Sequence, residues 1–146
     1  MMEISLVEAY TVADYELWEG EWELICGQPV AMTPSPGIAH QRLVAAAFRQ
    51  LDASLAGCSP CEALFEIDVE LAQDTVVRPD IVVFCYPAEG DRLTLAPEVI
   101  FEIVSPRSSR RDEVVKYGLY QQEGVTYYGL LYPDAKKVKL FRLEQG

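Results

Sequence analysis

The sequence is short of basic residues, of histidine and of long apolar runs, and each shortage removes a class of function. Its purest apolar run, Ile81 to Tyr86, is far too short to span a bilayer. The stretch from Met1 to Trp18 has neither a basic start nor a long apolar centre, which argues against a secretory signal. Four cysteines make no dense disulfide framework, so a reducing cytoplasm is the expected home. Cys58 and Cys61 have C-x-x-C spacing, but no second pair and no nearby histidine complete a zinc site. A redox pair would want a helix starting after its first cysteine; this one follows a helical stretch. Residues 1–99 hold 4 basic and 17 acidic residues, whereas residues 100–146 hold 8 basic and 6 acidic. The chain as a whole, at −11, should repel polyanions, while its last third need not. No repeat, linker or low-complexity tract interrupts residues 1–146, which read as a single domain.

What is present is an alternation of helix and strand patterns. Thr11 can cap a short helix over "TVADYELW", with Asp14 three residues on. "EWELI" and "PVAM" flank "CGQ" as a β-hairpin whose turn uses Gly27. "TPSPG" breaks the chain. Leu43, Val44, Ala47, Phe48, Leu51 and Leu55 then recur at helical spacing, with Gly57 past the end. "LFEIDVELA" alternates strictly and predicts one half-buried strand, with Phe65, Ile67, Val69 and Leu71 inward and Glu66, Asp68 and Glu70 on its wet face. "DIVVFC" is apolar on both faces and so central. "PEVIFEIVSP" is a third strand closed by Pro106. "SSRRDEVVKYGLYQQEG" is a helix ending at Gly124, followed by strands "TYYGLLY" and "KVKLFRL". The expected fold is α/β (α+β): a mixed central sheet with helices packed on it and an N-terminal hairpin. Tyr127, Tyr128 and Tyr132 are expected to serve packing.

Two acids stand out. Asp80 opens a buried strand behind Pro79, and Glu102 interrupts the apolar run of the next one. A buried charge without a partner is costly. If the strands are neighbours the carboxylates converge, and they repel unless a proton or a cation lies between them. Oxygen ligands favour Mg²⁺ or Mn²⁺. Asp112, Lys116 and Tyr120, at i, i+4 and i+8, share one helix face that could turn Lys116 toward the strand ends. Blander roles stay open at this point: a turn cap for Asp80, a structural ion pair for Glu102, and a solvated pair for Lys116 and Asp112.

The ordered set "WELICGQPVAM", "SPGIAHQRL", "RPDIVVF", "PEVIFEIVSP" and "RRDEVVKYGLYQQEGV", followed by a strand and "YPD", resembles the Uma-type family of restriction endonuclease-like proteins. That family is a branch of the PD-(D/E)XK nuclease superfamily, and the resemblance runs from about Thr11 to Leu143. It implies a restriction endonuclease-like core of helix, three strands, helix and strand. It also implies phosphodiester hydrolysis in nucleic acid, DNA above all. Asp80 and Glu102 would hold Mg²⁺ (or Mn²⁺). The family's strand lysine is missing here, because Val104 occupies its position, and Lys116 on the following helix would replace it. Glu23 and His40 match family positions as accessory residues, against the plainer roles of a strand side chain and a helix-start side chain. Arg107, Arg110 and Arg111 would hold phosphates. Where the family often has Tyr-Trp, this chain has Tyr128-Gly129. A non-catalytic interaction module on the same fold is the rival, favoured by the acidic charge. A homodimer is expected, because a duplex backbone is two-fold symmetric and the C-terminal strands and hairpin leave edges to cover.

Overall fold

A computed structural model describes residues 8–32 and 36–144. The start of the N-terminal stretch and Thr33 to Ser35 of the expected chain break lie outside them. Helix α1 (Val12–Tyr15) carries the expected cap: Thr11 and Asp14 bond each other's backbone N–H in a capping box. Strands β1 (Trp22–Ile25) and β2 (Gln28–Ala31) form the hairpin. Its two-residue loop places both Cys26 (φ 50°) and Gly27 (φ 82°) in the left-handed region, the backbone a type I′ turn demands. Helix α2 spans Ile38–Ser54.

The alternating run "LFEIDVELA" is the main correction. It forms two strands, β3 (Glu62–Phe65) and β4 (Val69–Ala72), which belong to different sheets. Glu66 breaks the pattern with φ 51°, so side chains before and after it no longer share a face. Phe65 is 54% exposed and Val69 fully buried, and the expected wet face dissolves. Asp68 instead accepts from Arg78 at 2.7 Å, and Glu70 pairs with Arg92 at 3.4 Å. A short strand absent from the expected pattern, β5 (Thr75–Val77), pairs with both β4 and β1.

Strands β6 (Ile81–Phe84), β7 (Val99–Ile103), β8 (Tyr127–Tyr132) and β9 (Lys137–Arg142) complete the set. One sheet runs β2-β1-β5-β4 and the other β3-β6-β7-β8-β9. In the second, β7 and β8 are parallel and the other pairs antiparallel, so the sheet is mixed as expected. All four residues of β6 are buried, which fits its central reading. A π turn at Arg111–Val115 runs into helix α3 (Lys116–Glu123), which Gly124 ends at φ 89°. The order α2, β3, β6, β7, helix, β8 is the expected helix–three strands–helix–strand core.

Two apolar clusters hold this together. Val44, Ile81, Ile103 and Leu131 pack α2 on one face of the five-stranded sheet. On the other face Val82, Ile100, Tyr128 and Leu130 meet Leu119 and Tyr120 of α3, together with Ile25, Val69 and Val77 from the four-stranded sheet. Each fully buried side chain of this kind stabilises the fold by about 1.5–3 kcal/mol. Gly129 lies opposite Phe101 in the β7–β8 ladder, and a Cβ there would stand 2.3 Å from the Phe101 ring. The glycine thus makes room for the aromatic ring of its neighbour. Tyr128 is buried as expected and its hydroxyl donates to the Asp112 carbonyl (2.8 Å); Tyr127 is 39% exposed. Cys61 and Cys85 extend the β3–β6 ladder by one position and are joined as a disulfide, while Cys58 and Cys26 are free and exposed. The C-x-x-C cysteines are therefore not bonded to each other.

Candidate functional site

Arg78-Pro79-Asp80 is the stretch where the chain leaves the four-stranded sheet at Val77 and enters the five-stranded one at Ile81. Buried Pro79 cannot donate to a ladder and ends one sheet before the other begins. Because Ile81 faces Phe101 across β6 and β7, Asp80 and Glu102 stand opposite each other at one end of the sheet. They are clasped through the backbone: the Asp80 N–H donates to Glu102 Oε1 (3.0 Å), and the Ile103 N–H donates to Asp80 Oδ2 (2.7 Å). Alternation along β7 sends Ile100, Glu102 and Val104 to the α3 side of the sheet and Phe101 and Ile103 to the α2 side.

Lys116 comes from α3 to meet Glu102. Its Nζ donates to Glu102 Oε2 at 2.6 Å and to Glu23 Oε2 at 3.0 Å. All three residues are at most 4% exposed, which removes the solvated-pair reading for Lys116. The Tyr120 hydroxyl, one further turn along the same helix face, also donates to Glu102 (3.3 Å). Glu23 Oε2 accepts in addition the Arg78 N–H at 2.7 Å. His40, in the first turn of α2, shares a 3.1 Å contact between Nε2 and Asp80 Oδ1. That hydrogen bond raises the imidazole above its ordinary value, with burial pulling the other way.

The electrostatics are lopsided. Glu23, Glu102 and Asp112 gather around one buried ammonium, and Asp80 stands beside Glu102. Burial pushes the Glu102 carboxyl well above the usual carboxylate range against the pull of Lys116, and Asp80, Asp112 and Glu23 add to the rise. Asp112 is pushed up to about 6, again by burial first. Burial alone would depress Lys116, but Glu102 and Glu23 outweigh it and hold it raised. The groups border a cleft of about 480 Å³, lined also by Glu21, Glu66, Arg78, Ser108 and Arg111.

Of the three arginines expected near the site, only Arg111 lines this cleft; Arg107 and Arg110 are exposed outside it. Asp112, which the sequence pattern places beside Lys116 without a role of its own, is buried in the cluster. The signal was there: Asp112, Lys116 and Tyr120 share one helix face, and all three are buried. Arg78, which no sequence pattern singles out, bonds Glu21 and Asp68, the residues that directly precede β1 and β4.

Among the described residues no three His, Cys, Asp or Glu side chains are grouped to hold a metal. Two carboxylates, Asp80 and Glu102, are the oxygen donors that face each other. This fits Mg²⁺ or Mn²⁺, which keep several waters and need only one or two protein carboxylates beside a substrate phosphate.

Known proteins agree with this architecture. A putative nuclease belonging to DUF820 from Anabaena variabilis ATCC 29413 has a crystal structure that superposes with a TM-score of 0.80. It is 21% identical, and the match covers 93% of this chain and 81% of that one. The likeness shows a shared fold, the restriction endonuclease-like one expected from the sequence. No curated protein matches the chain. Residues 12–146 match the model of the Uma2 family, described as "Putative restriction endonuclease", and the chain belongs to that family.

Proposed function

We propose that the protein is a metal-dependent endonuclease that hydrolyses phosphodiester bonds of nucleic acid, with DNA as the expected substrate. The observation that carries this is the meeting of Asp80 and Glu102, opposed across two strands, with the ammonium of Lys116 on the same side of the sheet. Asp80 and Glu102 would hold Mg²⁺ or Mn²⁺. Bound there, the ion would polarise the phosphate and lower the pKa of a water.

The chain's own groups prepare the rest. The Ile103 N–H and His40 fix the two oxygens of Asp80, so that carboxylate needs no reorganisation when substrate arrives. Lys116, brought from the helix, supplies the positive charge that a strand lysine at Val104 would give, and stabilises negative charge building on the phosphate. Arg111 and the start of α2 at Gly37 and His40 border the same cleft and attract the phosphate backbone.

The acidic composition favours the rival reading, a nuclease fold kept for binding alone. One experiment separates them. Duplex and single-stranded DNA and RNA are incubated with the protein and Mg²⁺ or Mn²⁺, with Glu102→Ala as the blank. Cleavage in the wild type alone supports the nuclease; equal products from both proteins, or none with any substrate, leave the interaction module. We further propose a homodimer through the edge strand β9, where Val138 and Leu140 are each more than 60% exposed.

A further inference from the structure

The lysine of this site is held from two sides, and the two holders belong to different sheets. Glu102 comes from β7 of the five-stranded sheet and Glu23 from β1 of the four-stranded one. Glu102 is also one of the two carboxylates facing the expected cation. A divalent ion that draws on Glu102 competes with the ammonium for the same charge and repels it. Were Glu102 its only partner, Lys116 would be driven out of the site whenever the ion entered.

Glu23 removes that conflict. Its Oε2 is fixed by the Arg78 N–H at 2.7 Å, within the same segment that presents Asp80. The same oxygen takes Lys116 Nζ at 3.0 Å, and the carboxylate is 4% exposed, so solvent screens it little. Glu23 thus gives Lys116 a buried counter-charge on an element other than the two strands that present Asp80 and Glu102.

We propose that Glu23 is the positioning residue of the site, a counter-ion that anchors Lys116 and lets it remain beside a divalent cation on Asp80 and Glu102. The proposal rests on the nuclease reading for the cation but not for the anchor. It differs from a role for Glu23 as a direct metal ligand, and the double variant separates the two.

The test uses the full chain and four proteins: wild type, Glu23→Gln, Lys116→Met and the double variant. Glutamine keeps the volume and an acceptor for the Arg78 N–H, so the fold should persist. Thermal unfolding in EDTA judges the anchor. Glu23→Gln should lower the midpoint in the wild type by roughly 5 °C or more, yet raise it in the Lys116→Met background, where Glu23 would otherwise be buried without its cation. A purely structural Glu23 would give the same sign in both backgrounds and overturn the proposal. Calorimetric titration with Mn²⁺ judges the counter-ion role. Lys116→Met should bind tightest, Glu23→Gln should bind at least about tenfold more weakly than wild type, and the double variant should return to within about threefold of it. A double variant as weak as Glu23→Gln would make Glu23 a metal ligand and overturn the counter-ion role. A wild type that binds no Mn²⁺ would sink the metal-dependent nuclease reading, and the sign of the unfolding shifts would still decide the anchor.

Discussion

The two sheets contribute to the cleft in different ways. The five-stranded sheet supplies a pair of carboxylates fixed by ladder geometry: once β6 and β7 pair, Asp80 and Glu102 must face each other. The four-stranded sheet supplies Glu23 and the arginine bonds that hold the connecting segment, and none of this follows from a local pattern. The first half of the site is secondary structure; the second is tertiary packing. The lesson is that a pair of carboxylates on neighbouring strands can be recognised locally, while their charge partners come from whatever element packs nearest.

The sharpest way to break this comparison is to remove a ladder carboxylate and, separately, the helix lysine that joins the two halves. Glu102→Ala should abolish Mn²⁺ binding in calorimetry and any cleavage found in a gel assay. It should also leave Lys116 with Glu23 alone. Lys116→Met should keep the fold and the cation and lower cleavage by about 10²–10³-fold. Cleavage at the wild-type rate would mean that the lysine lost at Val104 has not been replaced.

Asp112 gives a smaller but cleaner effect. Its folded-state pKa is raised to about 6, so the native protein binds more protons than the unfolded chain between the ordinary carboxylate value and about 6. Its contribution is favourable at low pH and is lost as pH rises through about 6. Asp112→Asn should therefore gain about 1–3 kcal/mol over wild type at pH 8 in EDTA, with the gain shrinking toward pH 4. Urea unfolding at the two pH values reads this, and a pH-independent difference would remove Asp112 from the charge cluster.

Gly129→Ala probes the five-stranded sheet apart from the site. The added methyl meets the Phe101 ring and should cost about 1–3 kcal/mol in urea unfolding. Metal binding should be unchanged once the protein is folded. Leu140→Lys on β9 should alter stability least, within about 0.5 kcal/mol. If β9 forms the dimer edge, light scattering should show the mass falling to that of the monomer; an unchanged mass would place any dimer elsewhere.

Much of the core was legible because its signals are local. The hydrophobic spacing of Leu43 to Leu51, the buried run of β6 and the lone Glu102 in β7 each carry their meaning within a few residues. The run from Phe65 to Leu71 misled because strict alternation does not reveal a left-handed residue, and Glu66 is neither glycine nor asparagine. β5 was missed because three residues between turns give too short a pattern. For the site, Asp80, Glu102 and Lys116 could be named from sequence, but Glu23 could not be given its role. Its two partners lie 55 and 93 positions away along the chain. The same holds for the arginines: adjacency put Arg107, Arg110 and Arg111 together, and the turn of the chain separates them.

The π turn before Lys116 has a consequence for how this site tolerates change. A π turn contains one residue more than the α-turn it interrupts, and such insertions sit inside helices without ending them. Here it spans Arg111–Val115, with Asp112 inside it and Lys116 just beyond. Taking out one residue would restore regular winding and rotate everything ahead of it by about 100° relative to α3. Arg111 and Asp112 would leave the cleft while Lys116 and Tyr120 kept their places. The helix thus carries its lysine and its cleft-facing arginine as separately phased parts, and a single-residue length change could retune one without disturbing the other.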